Sequence, residues 1–193
     1  MAVLTAANQM TLLRLLLVPV FVLLMLYGMA GWALLTFAVA GATDAFDGLL
    51  ARGLGQKTTL GAWLDPMADK LLVAAMLIML TVPGFGQVNR LPVWLTVLVL
   101  SRDLVIVLTV AIVNLAGRRR TFRPAFLGKA ATAAYIVTGV VTLYANFLGE
   151  KLPLVRWGVY ISLALTLASA AQYVVRVARE LAHSDDASEH SRG

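Results

Sequence analysis

A chain of 193 residues that is 60% hydrophobic and 13% charged, with a mean hydropathy of +0.84, has the length of one domain and the composition of an integral membrane protein rather than of a soluble core. The absence of cysteine excludes disulfides and thiolate metal sites and leaves the redox compartment undetermined. A net charge of +6 would suit nucleic acid, but the basic residues lie beside apolar segments. That is the pattern of cytoplasmic loops facing anionic lipid, so no nucleic-acid partner is expected.

The first apolar segment runs from about Thr11 to Met29. It has Arg14 near its start, and Pro19 inside it is a candidate kink that a membrane helix tolerates. Gly28-Met29-Ala30 resembles a signal-peptide cleavage site, but the segment reads as a retained helix. The second segment, about Gly31 to Arg52, is apolar as far as Thr43 and then acidic, with Gly53 and Gly55 as helix stops. Thr58 or Thr59 caps a third helix that runs to about Val82. Pro83-Gly84-Phe85-Gly86 marks a turn before the fourth segment, about Leu91 to Leu115, which carries Arg102 and Asp103 well inside it. A basic loop with Arg118, Arg119, Arg120 and Arg123 precedes the last two segments, about Leu127 to Leu148 and Leu154 to Val177.

The expected architecture is therefore all-α, an integral membrane bundle of six transmembrane helices. A membrane domain spans residues 1–178, and residues 179–193 form a polar tail expected to be disordered. Six spans put both termini on one side. With that side cytoplasmic, the inner ends hold Arg14, Arg52, Lys57, the arginine loop, Lys129, Arg176 and Arg179, against Arg90, Lys151 and Arg156 outside. Tyr27, Trp32, Trp94 and Trp157 then form an outer aromatic belt. A multi-pass protein of the cell inner membrane is the expected setting.

The stretch from Asp44 to Asp69 is anomalous in such a chain. It holds Asp44, Asp47, Asp65 and Asp69, four of the ten acidic residues, and an aspartate in a membrane helix costs about 2.5–3.5 kcal/mol. On helices, Asp44 and Asp47 share one face and Asp65 and Asp69 share another. A short antiparallel connection would bring the pairs together. Arg52, Lys57 and Lys70 are the cations nearby in sequence, and oxygen ligands without cysteine suit a hard ion such as Mg²⁺ or Mn²⁺.

The full pattern, D-x-x-D-G-x-x-A-R-x8-G-x3-D-x3-D, is present as Asp44, Asp47, Gly48, Ala51, Arg52, Gly61, Asp65 and Asp69. It resembles the signature of the CDP-alcohol phosphatidyltransferases, membrane enzymes of phospholipid synthesis, and a weaker resemblance extends from about Asn8 to about Tyr173, with Asn8, Thr11 and Arg14 resembling the polar positions at the start of the family's first membrane helix, which cleavage would discard. The resemblance implies attack of an acceptor hydroxyl on the β-phosphoryl of CDP-diacylglycerol, with release of CMP, assisted by Mg²⁺ or Mn²⁺ as two ions. It implies Asp44, Asp47 and Asp65 as metal ligands and Asp69 as both ligand and general base. Asn8, Gly48, Ala51, Arg52 and Gly61 are implied as contacts to the CDP and diphosphate. Arg52 suits a bidentate grip on phosphate, whereas Gly48, Ala51 and Gly61 are also residues that tight helix packing favours. The family further implies a homodimer among membrane lipids.

The acceptor candidates are Arg102, Arg119, Arg120, Arg123 and Lys129, although basic loops also serve anionic headgroups, and Arg102 with Asp103 would equally suit an internal ion pair. Lys129-Ala130-Ala131-Thr132 resembles an element of both the phosphatidylglycerophosphate synthase and cardiolipin synthase branches, each of which usually follows it with glutamine where this chain has Tyr135. Ser101-Arg102-Asp103 and Arg123-Pro124 look more like the cardiolipin branch. The expected acceptor is of glycerol type, glycerol-3-phosphate or phosphatidylglycerol, with the choice open. Inositol phosphate within the family and a cation transporter outside it are the alternatives; a transporter would not require Gly48, Arg52 and Gly61 at these offsets.

Overall fold

The computed structural model describes the backbone of residues 6–54, 59–115 and 126–190, and the side chains of residues 11–43, 67–108 and 126–173. Among the described residues there are six helices and no strand: α1 (Ala6–Leu26), α2 (Ala30–Leu54), α3 (Thr59–Thr81), α4 (Val93–Leu115), α5 (Phe126–Leu148) and α6 (Pro153–His190). The all-α expectation and its six elements are found. Among the described residues, two stretches, Phe126–Leu148 and Pro153–Tyr173, are long and apolar enough to cross a membrane, and Thr11–Leu26 and Ala30–Thr43 are shorter apolar helices. Charged residues also lie within helices: α2 carries Asp44 and Asp47, α3 carries Asp65 and Asp69, and α4 carries Arg102 and Asp103.

α6 runs past its apolar stretch as far as His190. Residues 174–190 contain neither glycine nor proline. Their Ala, Arg, Glu and Leu are good helix formers, and elongating an existing helix avoids the cost of nucleation.

Helix ends follow local chemistry. α1 stops at Gly28, whose φ of +71° lets Gly28 N–H reach the Met25 carbonyl and Met29 N–H reach that of Leu24, the paired bonds of a Schellman cap. α5 ends in the same way on Gly149, also at φ +71°, with Glu150 N–H on the Ala145 carbonyl. α1 runs unbroken through Pro19.

The chain divides into two compact units, residues 1–96 with 139–155 and residues 97–138 with 156–193. In the first, α1 packs against both α2 and α3. Phe21 and Phe37 meet as tilted rings 6.0 Å apart, and Met76, Leu77, Leu80, Leu95 and Leu143 are fully buried. The α3–α4 connection is tied down by polar groups. Asn146 Oδ1 accepts from Asn89 N–H at 2.7 Å, Asn146 Nδ2 donates back to the Asn89 carbonyl at 3.0 Å, and Asn89 Nδ2 donates to the Glu150 carbonyl at 2.6 Å. In the second unit Gly158 lies against Thr138, whose hydroxyl is 3.0 Å from that of Ser162. Large apolar side chains cover much of the outside, Leu16, Leu23, Leu154 and Ile161 among them, and Tyr27, Trp32, Trp94 and Trp157 are exposed near helix ends.

Candidate active site

The signature occupies the end of α2 and the start of α3. Asp44, Asp47, Gly48 and Ala51 fall at i, i+3, i+4 and i+7 of the continuous helix α2, so these positions form one stripe. Gly61, Asp65 and Asp69 fall at i, i+4 and i+8 of α3 and form another. The helical spacing expected of both pairs is thus found in the backbone. The side chains of Asn8, Asp44, Asp47, Gly48, Ala51, Arg52, Gly61 and Asp65 lie outside the described residues, as do Arg119, Arg120 and Arg123 altogether.

Asp69 is the member of the acidic set whose side chain is described. Its Oδ1 accepts from Arg14 Nη1 at 2.6 Å, across 55 residues of sequence. The two partners differ in exposure: the Arg14 side chain is 2% exposed and that of Asp69 is 44% exposed. Thr11, one turn before Arg14 on α1, is buried as well. Lys70 is exposed. Proximity in sequence points to Arg52, Lys57 and Lys70 as the compensating cations; Arg14 stands out there only by its resemblance to a polar position of the family's first helix, with no partner assigned. An arginine inside an otherwise apolar helix is the signal that could have found it, since such a group needs a partner.

The second unit holds another charged cluster. Arg102 Nη1 donates to Asp103 Oδ1 at 2.9 Å, with side-chain exposures of 12% and 19%. Its Nη2 donates to Ser169 Oγ at 2.8 Å and, more loosely, to the Gly128 carbonyl at 3.4 Å. Arg102 Nε is buried without a hydrogen-bond partner. The Tyr135 hydroxyl lies 3.3 Å from both Asp103 Oδ2 and Thr132 Oγ1, so the residue standing in place of glutamine closes the carboxylate from its second side. Arg102 thereby joins α4 to α5 and α6, the internal pairing that the sequence leaves open beside an acceptor role. Lys129 is exposed on α5.

The donor chemistry fits a hard divalent ion. Four carboxylates stand at helical spacing on two continuous helices, the chain has no cysteine and two histidines, and the described carboxylate is half-exposed while backed by a buried cation.

The family model described as CDP-alcohol phosphatidyltransferase matches residues 4–169. A protein of Mycobacterium tuberculosis named as a probable phosphatidylglycerophosphate synthase is 37% identical over 184 residues, covering 91% of this chain and 82% of its own. A CDP-diacylglycerol–glycerol-3-phosphate 3-phosphatidyltransferase of Bacillus subtilis is 32% identical over 185 residues, 86% of this chain and 91% of its own. A CMP-forming cardiolipin synthase of Streptomyces coelicolor is 40% identical over 139 residues, 67% of this chain and 60% of its own. The match extends well beyond the aspartate stretch to include α1, α4 and α5, and the chain belongs to the CDP-alcohol phosphatidyltransferase family of enzymes.

Proposed function

We propose that this phosphatidyltransferase moves the phosphatidyl group of CDP-diacylglycerol to glycerol-3-phosphate. The carrying observation is that relatives named for this reaction match over 86–91% of the chain. A hydroxyl oxygen of the acceptor forms a new bond to the β-phosphorus, the bond to the CMP oxygen breaks, CMP leaves, and the hydroxyl proton passes to a base or to water. Asp44, Asp47, Asp65 and Asp69 would hold Mg²⁺ or Mn²⁺, which supplies charge neutralisation at the diphosphate. Asp69 is the proposed proton acceptor as well as a ligand. Asn8, Gly48, Ala51, Arg52 and Gly61 are assigned to the nucleotide and diphosphate, and Arg102, Lys129 and the arginines at 119, 120 and 123 to the acceptor's phosphate.

Phosphatidylglycerol is the second reading of the acceptor, favoured by Ser101-Arg102-Asp103 and by the cardiolipin synthase relative. We place all six helices across the cell inner membrane with the site and both termini cytoplasmic, and the active form as a homodimer. The basic asymmetry of the connections, the apolar exterior and the exposed aromatic residues at helix ends support the membrane placement. The test offers purified protein CDP-diacylglycerol and Mg²⁺ or Mn²⁺ with glycerol-3-phosphate, phosphatidylglycerol or inositol phosphate separately, identifying the product lipid by mass spectrometry. Phosphatidylglycerophosphate is expected; cardiolipin alone would move the enzyme to the other branch.

A further inference from the structure

We propose that Arg14 is a positioning residue for the Asp69 carboxylate. It sits behind that group in the protein interior and fixes how the carboxylate is presented to the divalent ion. The inference rests on the metal reading of the aspartates and adds to it a residue from a different helix.

The asymmetry of the ion pair carries the argument. A surface salt bridge has both partners in water and is worth little; here the guanidinium is 2% exposed and the carboxylate 44%. Such a desolvated arginine costs several kcal/mol unless its geometry is well compensated, and Asp69 Oδ1 at 2.6 Å is a close, charge-assisted acceptor. The cation therefore lies on the buried side of the carboxylate, which keeps part of its own surface exposed. A carboxylate tied at one oxygen to a rigid, buried fork cannot rotate freely about its last torsion.

The mounting of Arg14 is equally firm. α1 packs against both of the helices that bear the acidic pairs, and Arg14 is among the largest fully buried side chains, one turn from buried Thr11. The group that orients Asp69 is thus held by the helix that bridges α2 and α3. Partners that orient a ligand in this way commonly contribute about 10–100-fold in metal affinity. A helix-to-helix clamp with no bearing on the ion is the competing account of the same contact, and it predicts a different readout.

The experiment uses the full chain in detergent and Mn²⁺ alone, followed by electron paramagnetic resonance of the free ion, with thermal unfolding measured in parallel. Arg14→Met keeps bulk but removes charge and donors; Arg14→Lys keeps charge but not the planar fork. Arg14→Met should weaken Mn²⁺ binding about 10–100-fold in folded protein, Arg14→Lys should recover part of the loss, and Arg14→Met in an Asp69→Asn background should add nothing further. Unchanged Mn²⁺ affinity with a lowered Tm would assign Arg14 to the clamp and overturn the proposal. Tighter Mn²⁺ binding would overturn it too, because the arginine would then act only as a competing charge. A wild-type chain with no saturable Mn²⁺ site would overturn both this inference and the metal reading beneath it.

Discussion

Asp103→Ala removes the carboxylate from a guanidinium that is 12% exposed, where the aspartate itself is 19% exposed. Ser169 Oγ and the distant Gly128 carbonyl remain as oxygen partners for Arg102, and neither carries a compensating charge. Breaking a largely buried pair from one side costs about 3–5 kcal/mol, whereas replacing both partners by apolar groups is often neutral. Asp103→Ala should therefore lower stability by that amount in a denaturant titration, and the double variant Arg102→Met/Asp103→Leu should recover most of it. With its fold restored, the double variant should still show a KM for glycerol-3-phosphate raised about tenfold, the equivalent of about 1.4 kcal/mol for one charged contact, with KM for CDP-diacylglycerol unchanged. An Asp103→Ala protein within about 1 kcal/mol of wild type, or a double variant no more stable than the single, would refute the view of this cluster as a desolvated pair.

Other expectations follow from single contacts. Gly158→Ala places a Cβ within 2.7 Å of the Thr138 hydroxyl and 3.0 Å of its methyl; threonine is stiff at χ1, so the variant should lose about 1–3 kcal/mol and lower the Tm. Asn146→Ala removes both bonds that hold the Asn89 backbone, which should cost about 2–3 kcal/mol and increase protease cleavage in the α3–α4 connection. Gly28→Ala forces a side chain onto a φ of +71° and should cost about 1 kcal/mol by thermal unfolding. Chelation of divalent ions should abolish CMP release, and added Mn²⁺ or Mg²⁺ should restore it.

Much of the fold is legible in the sequence because apolar runs report helices directly. The expected bounds of α3, α4 and α5 agree with the structure within about two residues, inside the scatter with which helix ends are defined. α1 starts earlier, at Ala6, because Ala6, Ala7 and Gln9 favour helix without being part of the apolar run. α6 outlasts its apolar run for the same reason, since hydropathy marks where a helix meets lipid and not where it stops. The signature stretch from Asp44 to Asp69 is legible through fixed offsets between residues of restricted chemistry. The partner of Asp69 is not, because a contact across 55 residues depends on how α1 packs and leaves no local pattern. The Asn89–Asn146 clasp, 57 residues apart, is hidden for the same reason. Arg102 and Asp103 are conspicuous as charges inside an apolar segment, but adjacency in sequence could not show that Ser169 and Tyr135 complete their surroundings.

The central claim is tested most directly by counting lipid and nucleotide together. Purified protein is given CDP-diacylglycerol, Mn²⁺ and radiolabelled glycerol-3-phosphate, and label entering the lipid phase is compared with CMP released. Phosphatidyl transfer to glycerol-3-phosphate predicts one CMP per glycerol-3-phosphate incorporated, with both lost in Asp69→Asn. CMP released without label entering lipid, or no turnover until phosphatidylglycerol is supplied, would contradict it.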